Sequence, residues 1–96
     1  MAVMEMLKRR RAEILAVARR HGATDIRVFG SVARGEDNPA SDVDLLVKSG
    51  PVTSSWFPAG LIQDLEELLG RKVDVVTETS LHWYIRDKIL TEAVPL

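Results

Sequence analysis

The sequence contains no cysteine, and none of its apolar segments is long. Without cysteine the chain can form no disulfide, offers no thiolate nucleophile and has no cysteine-based zinc site. No apolar run approaches the roughly 20 residues that span a membrane. The short apolar segment AEILAVA is followed by Arg19 and Arg20 instead of the small residues of an export cleavage site. We therefore expect a cytoplasmic protein that does not enter the membrane.

Net charge is also low, because 13 Lys and Arg residues are balanced by 14 Asp and Glu residues, which leaves a formal net charge of -1. Such a balance gives no global attraction to nucleic acid or to an anionic membrane. We interpret the basic residues at 8–11 and 19–20 as a solvated helix face, with binding to an acidic partner as the alternative. Direct binding of nucleic acid is not expected. A chain of 96 residues has room for a single domain over 1–96.

Hydrophobic periodicity and breaker residues predict alternating helices and strands. The predicted elements are a helix over 3–21 ended by Gly22, a strand over 25–30, one helical turn within 31–41, a strand over 42–49, a helix from Pro58 to Gly70, a strand over 72–77 and a helix over about 80–93. The helix between the second and third strands predicts a parallel pair, and the compact connection between the first two predicts an antiparallel pair. The fold class is therefore α/β (α+β), a small mixed sheet of about three strands with helices packed against it.

Three aspartates lie in or beside the predicted strands, where burial makes charge costly. Asp42 and Asp44 are two residues apart and project from the same side of the second strand. Asp74 interrupts the apolar third strand and can converge on them, although an exposed edge strand would also explain it. Carboxylate oxygens suit a hard cation such as Mg²⁺. Three strand carboxylates are typical of a two-metal phosphoryl- or nucleotidyl-transfer site.

The turn Gly30-Ser31 follows the first strand and supplies the complementary chemistry. A glycine at this point lets the backbone approach a ligand closely, and the amides that follow can point toward an anion. The Ser31 hydroxyl is a further donor, and Arg34 can pair with phosphate oxygens. These residues predict a phosphate-binding turn beside the acids.

The stretch GSVARGEDNPASDVDLLV matches the Gly-Ser-x₁₀-Asp-x-Asp signature of the DNA polymerase β-like nucleotidyltransferase superfamily, and Asp74 in KVDVV is similar to its third acid. The chain most resembles the minimal nucleotidyltransferases (MNT proteins) of that superfamily. The resemblance implies the nucleotidyltransferase fold and attack on the α-phosphate of a nucleoside triphosphate, with ATP as the suggested substrate. It implies that Asp42 and Asp44 bind two Mg²⁺ ions and that Asp74 completes the catalytic metal site.

The same resemblance assigns the β- and γ-phosphates to Gly30 and Ser31, with Arg34 as a further contact. It also implies a partner, since minimal nucleotidyltransferases commonly act beside a HEPN-domain toxin as its antitoxin, and members of the group adenylylate that toxin. We therefore expect a Mg²⁺-dependent protein adenylyltransferase. Two alternatives remain open, namely a non-catalytic antitoxin that neutralises its toxin by binding and a transferase that acts on a small-molecule hydroxyl.

The last predicted helix carries apolar residues on two sides. One stripe, the expected core side, consists of Leu81, Ile85 and Ile89, and the other of Trp83, Leu90 and Val94. The second stripe predicts contact with a second copy of the chain or with the toxin, unless Trp83 folds back over its own domain. Trp56, in the loop after the second strand, either lines the nucleotide or acceptor cleft or covers the edge of the core.

Overall fold

The structure is a computed structural model that describes residues 2–96. Its elements, in chain order, are α1 (Val3–Arg9), α2 (Arg11–Arg20), β1 (Ala23–Phe29), α3 (Gly30–Arg34), β2 (Val43–Ser49), α4 (Ala59–Leu69), β3 (Val73–Thr77), a single 3₁₀ turn (Glu78–Ser80), α5 (Trp83–Glu92) and β4 (Val94–Pro95). Among these residues, no helix combines the length and the apolarity that crossing a membrane requires.

The four strands form one mixed sheet in the order β3-β2-β1-β4. β1 pairs antiparallel with β2 and with β4, whereas β2 and β3 are parallel. The predicted class and both predicted pairings are confirmed. The prediction of about three strands missed β4, because a strand of two residues beside a proline shows no alternation that a sequence pattern could reveal.

The predicted single helix over 3–21 is wrong, since Arg10 leaves the helical conformation with φ -100° and ψ 15° and separates α1 from α2. The Arg10 side chain donates a hydrogen bond of 2.5 Å to the Leu68 carbonyl and forms an ion pair of 3.2 Å with Glu13. The break lets both short helices bury apolar residues in one core. Neither glycine nor proline marks the break, so the local sequence gave no signal of it.

One face of the sheet carries the core. Val43, Leu45 and Val47 of β2 point to this face and are buried with residues of α2 and α4, whose largest fully buried members are Ile14, Leu61 and Leu65. Burial of each such side chain contributes about 1.5–3 kcal/mol to the free energy of folding. Because strand residues alternate, the residue between Val43 and Leu45 necessarily points to the opposite face. That residue is Asp44.

The C-terminal helix differs most from the prediction. Leu81 precedes α5, Ile85 is 36% exposed, and no residue of α5 is buried, so the expected core stripe does not pack into the core. The reason is that α2 and α4 already cover the core face, whereas α5 lies beside α3. Trp83 is 80% exposed and does not fold back over the domain. Val94 belongs to β4 and not to a helical stripe.

Candidate active site

The three aspartates lie together on the sheet face opposite the core. Asp44 of β2 is paired in register with Asp74 of the parallel strand β3 and with Phe29 of the antiparallel strand β1. Neighbouring strands are about 4.8 Å apart, so the Asp44 and Asp74 side chains stand next to each other. Asp42 immediately precedes β2 and is exposed, as is Asp74, whereas Asp44 is half-buried. β3 is an edge strand, which explains how an acid is tolerated at position 74.

The electrostatics of Asp44 reflect this crowding. Partial burial raises the pKa of Asp44 above its ordinary value, and the negative charges of Asp74, Asp42 and Glu92 raise it further, while Arg34 acts in the opposite direction. The carboxylates therefore repel one another across a short distance. A cation placed among them would relieve both the repulsion and the cost of desolvation.

The donor set fits a hard divalent cation, because all of its members are carboxylate oxygens. Within residues 2–96, no three acidic or histidine side chains are drawn together tightly enough to form a ready-made metal site. The residues that could hold Mg²⁺ are thus Asp42, Asp44 and Asp74, and metal binding would have to draw their side chains inward.

Gly30 joins the acids to the turn that follows β1. It has φ +75°, a backbone conformation that L-residues with a side chain rarely adopt. A Cβ atom at this position would overlap Oδ2 of Asp44 and lie 3.2 Å from its Cγ. Glycine is therefore required at position 30 for two reasons, the backbone angle and the adjoining carboxylate. The structure brings together the two motifs that the sequence separates by the loop 35–42.

α3 presents hydrogen-bond donors beside the point where Gly30 adjoins Asp44. The Gly30 N–H donates a hydrogen bond of 2.5 Å to Oε1 of Glu92, and Arg34 Nη1 donates one of 3.0 Å to the same oxygen. Arg34 Nε also donates to Glu36 at 3.3 Å. The hydrogen bond to Glu36 first, and then the Glu92 carboxylate, raise the pKa of Arg34 above its ordinary value. Ser31 lies half-buried in the same turn. We call the Gly30 N–H, the Ser31 hydroxyl and the Arg34 guanidinium the α3 donors.

Two further charged residues adjoin the α3 donors, and no sequence motif pointed to them. Lys88 and Glu92 of α5 line a shallow cavity of about 230 Å³ together with Phe29, Gly30, Arg34, Ile85 and Ile89. The spacing of four residues between Lys88 and Glu92 places them on the same side of the helix. That spacing was visible in the sequence, but the position of α5 beside α3 was not.

Trp56 does not border the acids. It is 89% exposed and lines a cavity of about 510 Å³ together with Ser49 and Thr77, the last residues of β2 and β3. Asp44 and Asp74 lie near the other ends of those strands. Trp56 therefore does not line the predicted nucleotide site, and at this exposure it covers little of the core.

His21 does more than end α2, which is the only role that the sequence suggested for it. One ring nitrogen, Nδ1, lies 2.7 Å from Oγ of Ser54, and the other, Nε2, lies 2.7 Å from Oδ2 of Asp64. The Ser54 N–H also donates to the His21 carbonyl at 3.0 Å. His21 thereby ties the loop after β2 to α2 and α4. Its partners are 33 and 43 residues away in the sequence, so local patterns could not reveal them.

The chain matches the family model of the nucleotidyltransferase domain over residues 12–96. It therefore belongs to the nucleotidyltransferase domain family, and it is an enzyme of the nucleotidyltransferase class. The protein adenylyltransferase MntA of Thermococcus cleftensis is 43% identical over 75 residues, which are 78% of this chain and 76% of that protein. A Methanocaldococcus jannaschii protein with the provisional name of protein adenylyltransferase is 42% identical over 82 residues, 85% of this chain and 88% of that protein.

Solved structures agree with this assignment. A structure provisionally described as a minimal nucleotidyltransferase has a TM-score of 0.83 and 47% identity, and the match covers 96% of this chain and 94% of that one. The resemblance to minimal nucleotidyltransferases is thereby confirmed. A toxin–antitoxin structure with AMP-PNP has a TM-score of 0.74 at 23% identity, covering 88% of this chain and 69% of that one, and shares the fold.

Proposed function

We propose that this protein is a Mg²⁺-dependent transferase that moves a nucleoside monophosphate from a nucleoside triphosphate to a hydroxyl group on a partner protein. The preferred group in this proposal is AMP. The observation that carries the proposal is the position of Asp44, which adjoins Gly30 on one side and Asp74 on the other. A metal-binding carboxylate and a phosphate-binding turn in direct contact are what nucleotidyl transfer requires. A nucleoside triphosphate is supplied in the cytoplasm, which agrees with the location that we expect from the sequence.

The acids have distinct roles in the proposed reaction. Asp42 and Asp44 would hold two Mg²⁺ ions, and Asp74 would complete the catalytic metal site. When bound, Mg²⁺ supplies Lewis-acid stabilisation of the charge that develops on the attacking and leaving oxygens. The acceptor oxygen forms a bond to the α-phosphorus, the bond from that phosphorus to its bridging oxygen breaks, and pyrophosphate leaves. Asp74 helps to activate the acceptor hydroxyl by accepting its proton.

The α3 donors bind the leaving group in this scheme. The N–H of Gly30 and the hydroxyl of Ser31 donate to oxygens of the β- and γ-phosphates, and the Arg34 guanidinium adds a charge-assisted contact. Their closeness to Asp44 supports this assignment, since a triphosphate held there would present its α-phosphate to the metal-binding carboxylates. Charge on the departing pyrophosphate is thereby spread over preorganised donors.

The proposed acceptor is the toxin of a toxin–antitoxin pair, of the HEPN type that the sequence resemblance implies. Two observations support a protein acceptor. Relatives that cover most of this chain are named protein adenylyltransferases, and structures with the same fold are described as the toxin–antitoxin MntA–HepT. A homodimer through α5 is the alternative use of its exposed side, where Trp83 and Tyr84 are 80% and 67% exposed.

The test combines the purified protein, its co-expressed neighbouring gene product, Mg²⁺ and α-labelled ATP. The native protein is compared with Asp42→Asn/Asp44→Asn and with the control Glu67→Gln, which removes an exposed acid of α4. We expect label on the partner with the native and control proteins, and none with the double variant or with excess EDTA. Parallel reactions with labelled GTP, CTP and UTP test the preference for AMP.

Other results would contradict specific parts of the proposal. If no form transfers label but the native protein and the double variant capture the same partner, the protein is an antitoxin that acts by binding alone. If label appears on a small molecule and never on protein, the acceptor class is wrong. Label transferred equally by the native protein and the double variant would remove Asp42 and Asp44 from the mechanism.

A further inference from the structure

A carboxylate of the chain itself occupies two of the three α3 donors, the Gly30 N–H and the Arg34 guanidinium. Oε1 of Glu92 accepts a hydrogen bond of 2.5 Å from the Gly30 N–H and one of 3.0 Å from Arg34 Nη1. The Glu92 side chain is only 16% exposed, whereas that of Arg34 is 43% exposed. An anionic oxygen with two donors, one of them charged, is the arrangement that a phosphate oxygen would also form. Oε1 of Glu92 therefore takes the place that a phosphate oxygen held by the same two donors would take.

The Glu92 carboxylate and a bound triphosphate cannot use these donors at the same time. The Gly30 N–H has one hydrogen to donate, and Glu92 already accepts it. Glu92 also adds a negative charge to the surroundings of Asp44, where the negative charges of Asp42 and Asp74 already act. A triphosphate that uses the α3 donors must displace the Glu92 carboxylate, and the space for this is the cavity that both Glu92 and Gly30 line.

The segment that carries Glu92 is attached by few interactions. We call residues 83–92, which form α5, the C-terminal arm; Leu96, beyond it, packs against the core. No residue of α5 is buried, and β4 pairs with β1 through two residue pairs. The described side-chain contacts of this region include those of Glu92 itself and two hydrogen bonds. Arg86 donates one of 2.7 Å to the Glu78 carbonyl, and Arg11 donates one of 2.8 Å to the Leu96 carbonyl. Elements with few buried apolar contacts open at low free-energy cost.

We propose that Glu92 is an intramolecular competitor of the triphosphate, so that the C-terminal arm closes the α3 donors in the free enzyme and moves away when a Mg²⁺–triphosphate binds. The inference rests on the proposed function, because it takes the α3 donors as the triphosphate site. The measured dissociation constant is then the intrinsic value divided by the fraction of molecules in which Glu92 has withdrawn. An enzyme held closed in nine molecules of ten binds about tenfold more weakly than its open form.

The first experiment measures binding of inorganic tripolyphosphate with Mg²⁺ by titration calorimetry, which involves no catalysis and no base. The variants are Glu92→Gln, which keeps the size of the side chain and removes its charge, and Asp87→Asn, which removes the same charge from an exposed position of α5. We expect Glu92→Gln to bind about tenfold more tightly than the native protein. Asp87→Asn should bind as the native protein does, which separates local competition from net charge.

The second experiment measures amide hydrogen exchange of the native protein alone, so it does not depend on how any variant folds. Saturating tripolyphosphate with Mg²⁺ should accelerate exchange in residues 83–92 while α2 and α4 remain protected. Unchanged or slower exchange in this segment would overturn the inference.

The outcomes separate the inference from the proposed function. If the native protein binds tripolyphosphate and Glu92→Gln binds it equally or more weakly, the competitor role is wrong while the phosphate site stands. If Glu92→Gln also lowers the transfer rate, Glu92 belongs to the reacting site instead. If neither the native protein nor Glu92→Gln binds tripolyphosphate or transfers label, the proposed function fails and the inference fails with it.

Discussion

The carboxylate of Asp44 lies where a side chain of residue 30 would begin, so Gly30 and Asp44 form one unit of the site although they belong to separate motifs. Gly30→Ala should therefore destabilise the fold by more than the backbone strain alone and should abolish transfer. A positive φ costs a residue with a side chain about 1–2 kcal/mol, and displacing Asp44 adds to this. Denaturant unfolding and the labelling assay measure the two effects.

Gly35 provides the matched control for this variant. Its φ is +72°, close to that of Gly30, but a Cβ atom there would meet no heavy atom within 4 Å. Gly35→Ala should thus lose only the strain, about 1–2 kcal/mol, and keep its activity. Equal losses of stability and activity in the two variants would show that the contact with Asp44 has no consequence.

Asp44→Asn should abolish transfer and yet stabilise the metal-free protein at neutral pH. Burial first, then the neighbouring acids, raises the pKa of Asp44 in the folded state. The folded state then binds more protons than the unfolded state between the two pKa values, so stability falls as pH rises through that interval. The variant avoids this loss, and we therefore expect it to unfold at a higher temperature than the native protein in the absence of metal ions.

The pH dependence distinguishes this cause from general stabilisation. In EDTA, the advantage of Asp44→Asn should be full above the raised pKa of Asp44 and should vanish below the ordinary carboxyl range, where Asp44 is neutral in both states. Mg²⁺ should raise the Tm of the native protein and have little effect on the variant. A gain that is independent of pH, or a variant less stable than the native protein at pH 7, would refute the argument.

The sequence predicted what local chemistry determines. Alternation along β2 assigned Val43 and Leu45 to one face and Asp44 to the other, and the structure has the same arrangement. Prediction from the sequence failed where tertiary contacts determine the local structure. The break at Arg10 depends on the Leu68 carbonyl, and the role of Glu92 depends on where α5 lies relative to α3. Amphipathicity could not place α5, because it carries apolar residues on two sides and buries none of them.

His21 should contribute to stability and not to transfer. Its two ring nitrogens connect Ser54 and Asp64, and His21→Ala would leave both polar groups without this partner. We expect a loss of about 1–3 kcal/mol, the usual cost of unsatisfied polar groups at a partly buried position. Urea unfolding measures the loss, and the labelling assay below the unfolding transition should give a native rate per folded molecule. A lost rate with full stability would instead assign His21 to the reaction.

Trp83 should bind the partner protein, because large aromatic side chains contribute strongly to protein–protein interfaces. An aromatic side chain that is exposed to water contributes little to the stability of its own fold. Trp83→Ala should weaken capture of the co-expressed partner at least tenfold and leave the Tm unchanged. Trp56→Ala is the matched control, since Trp56 is 89% exposed against 80% for Trp83 but lies in the loop between β2 and α4. Light scattering of the isolated protein tests the homodimer. If Trp83→Ala turns a dimer into a monomer and captures the partner normally, α5 joins two copies of this chain and the toxin binds elsewhere.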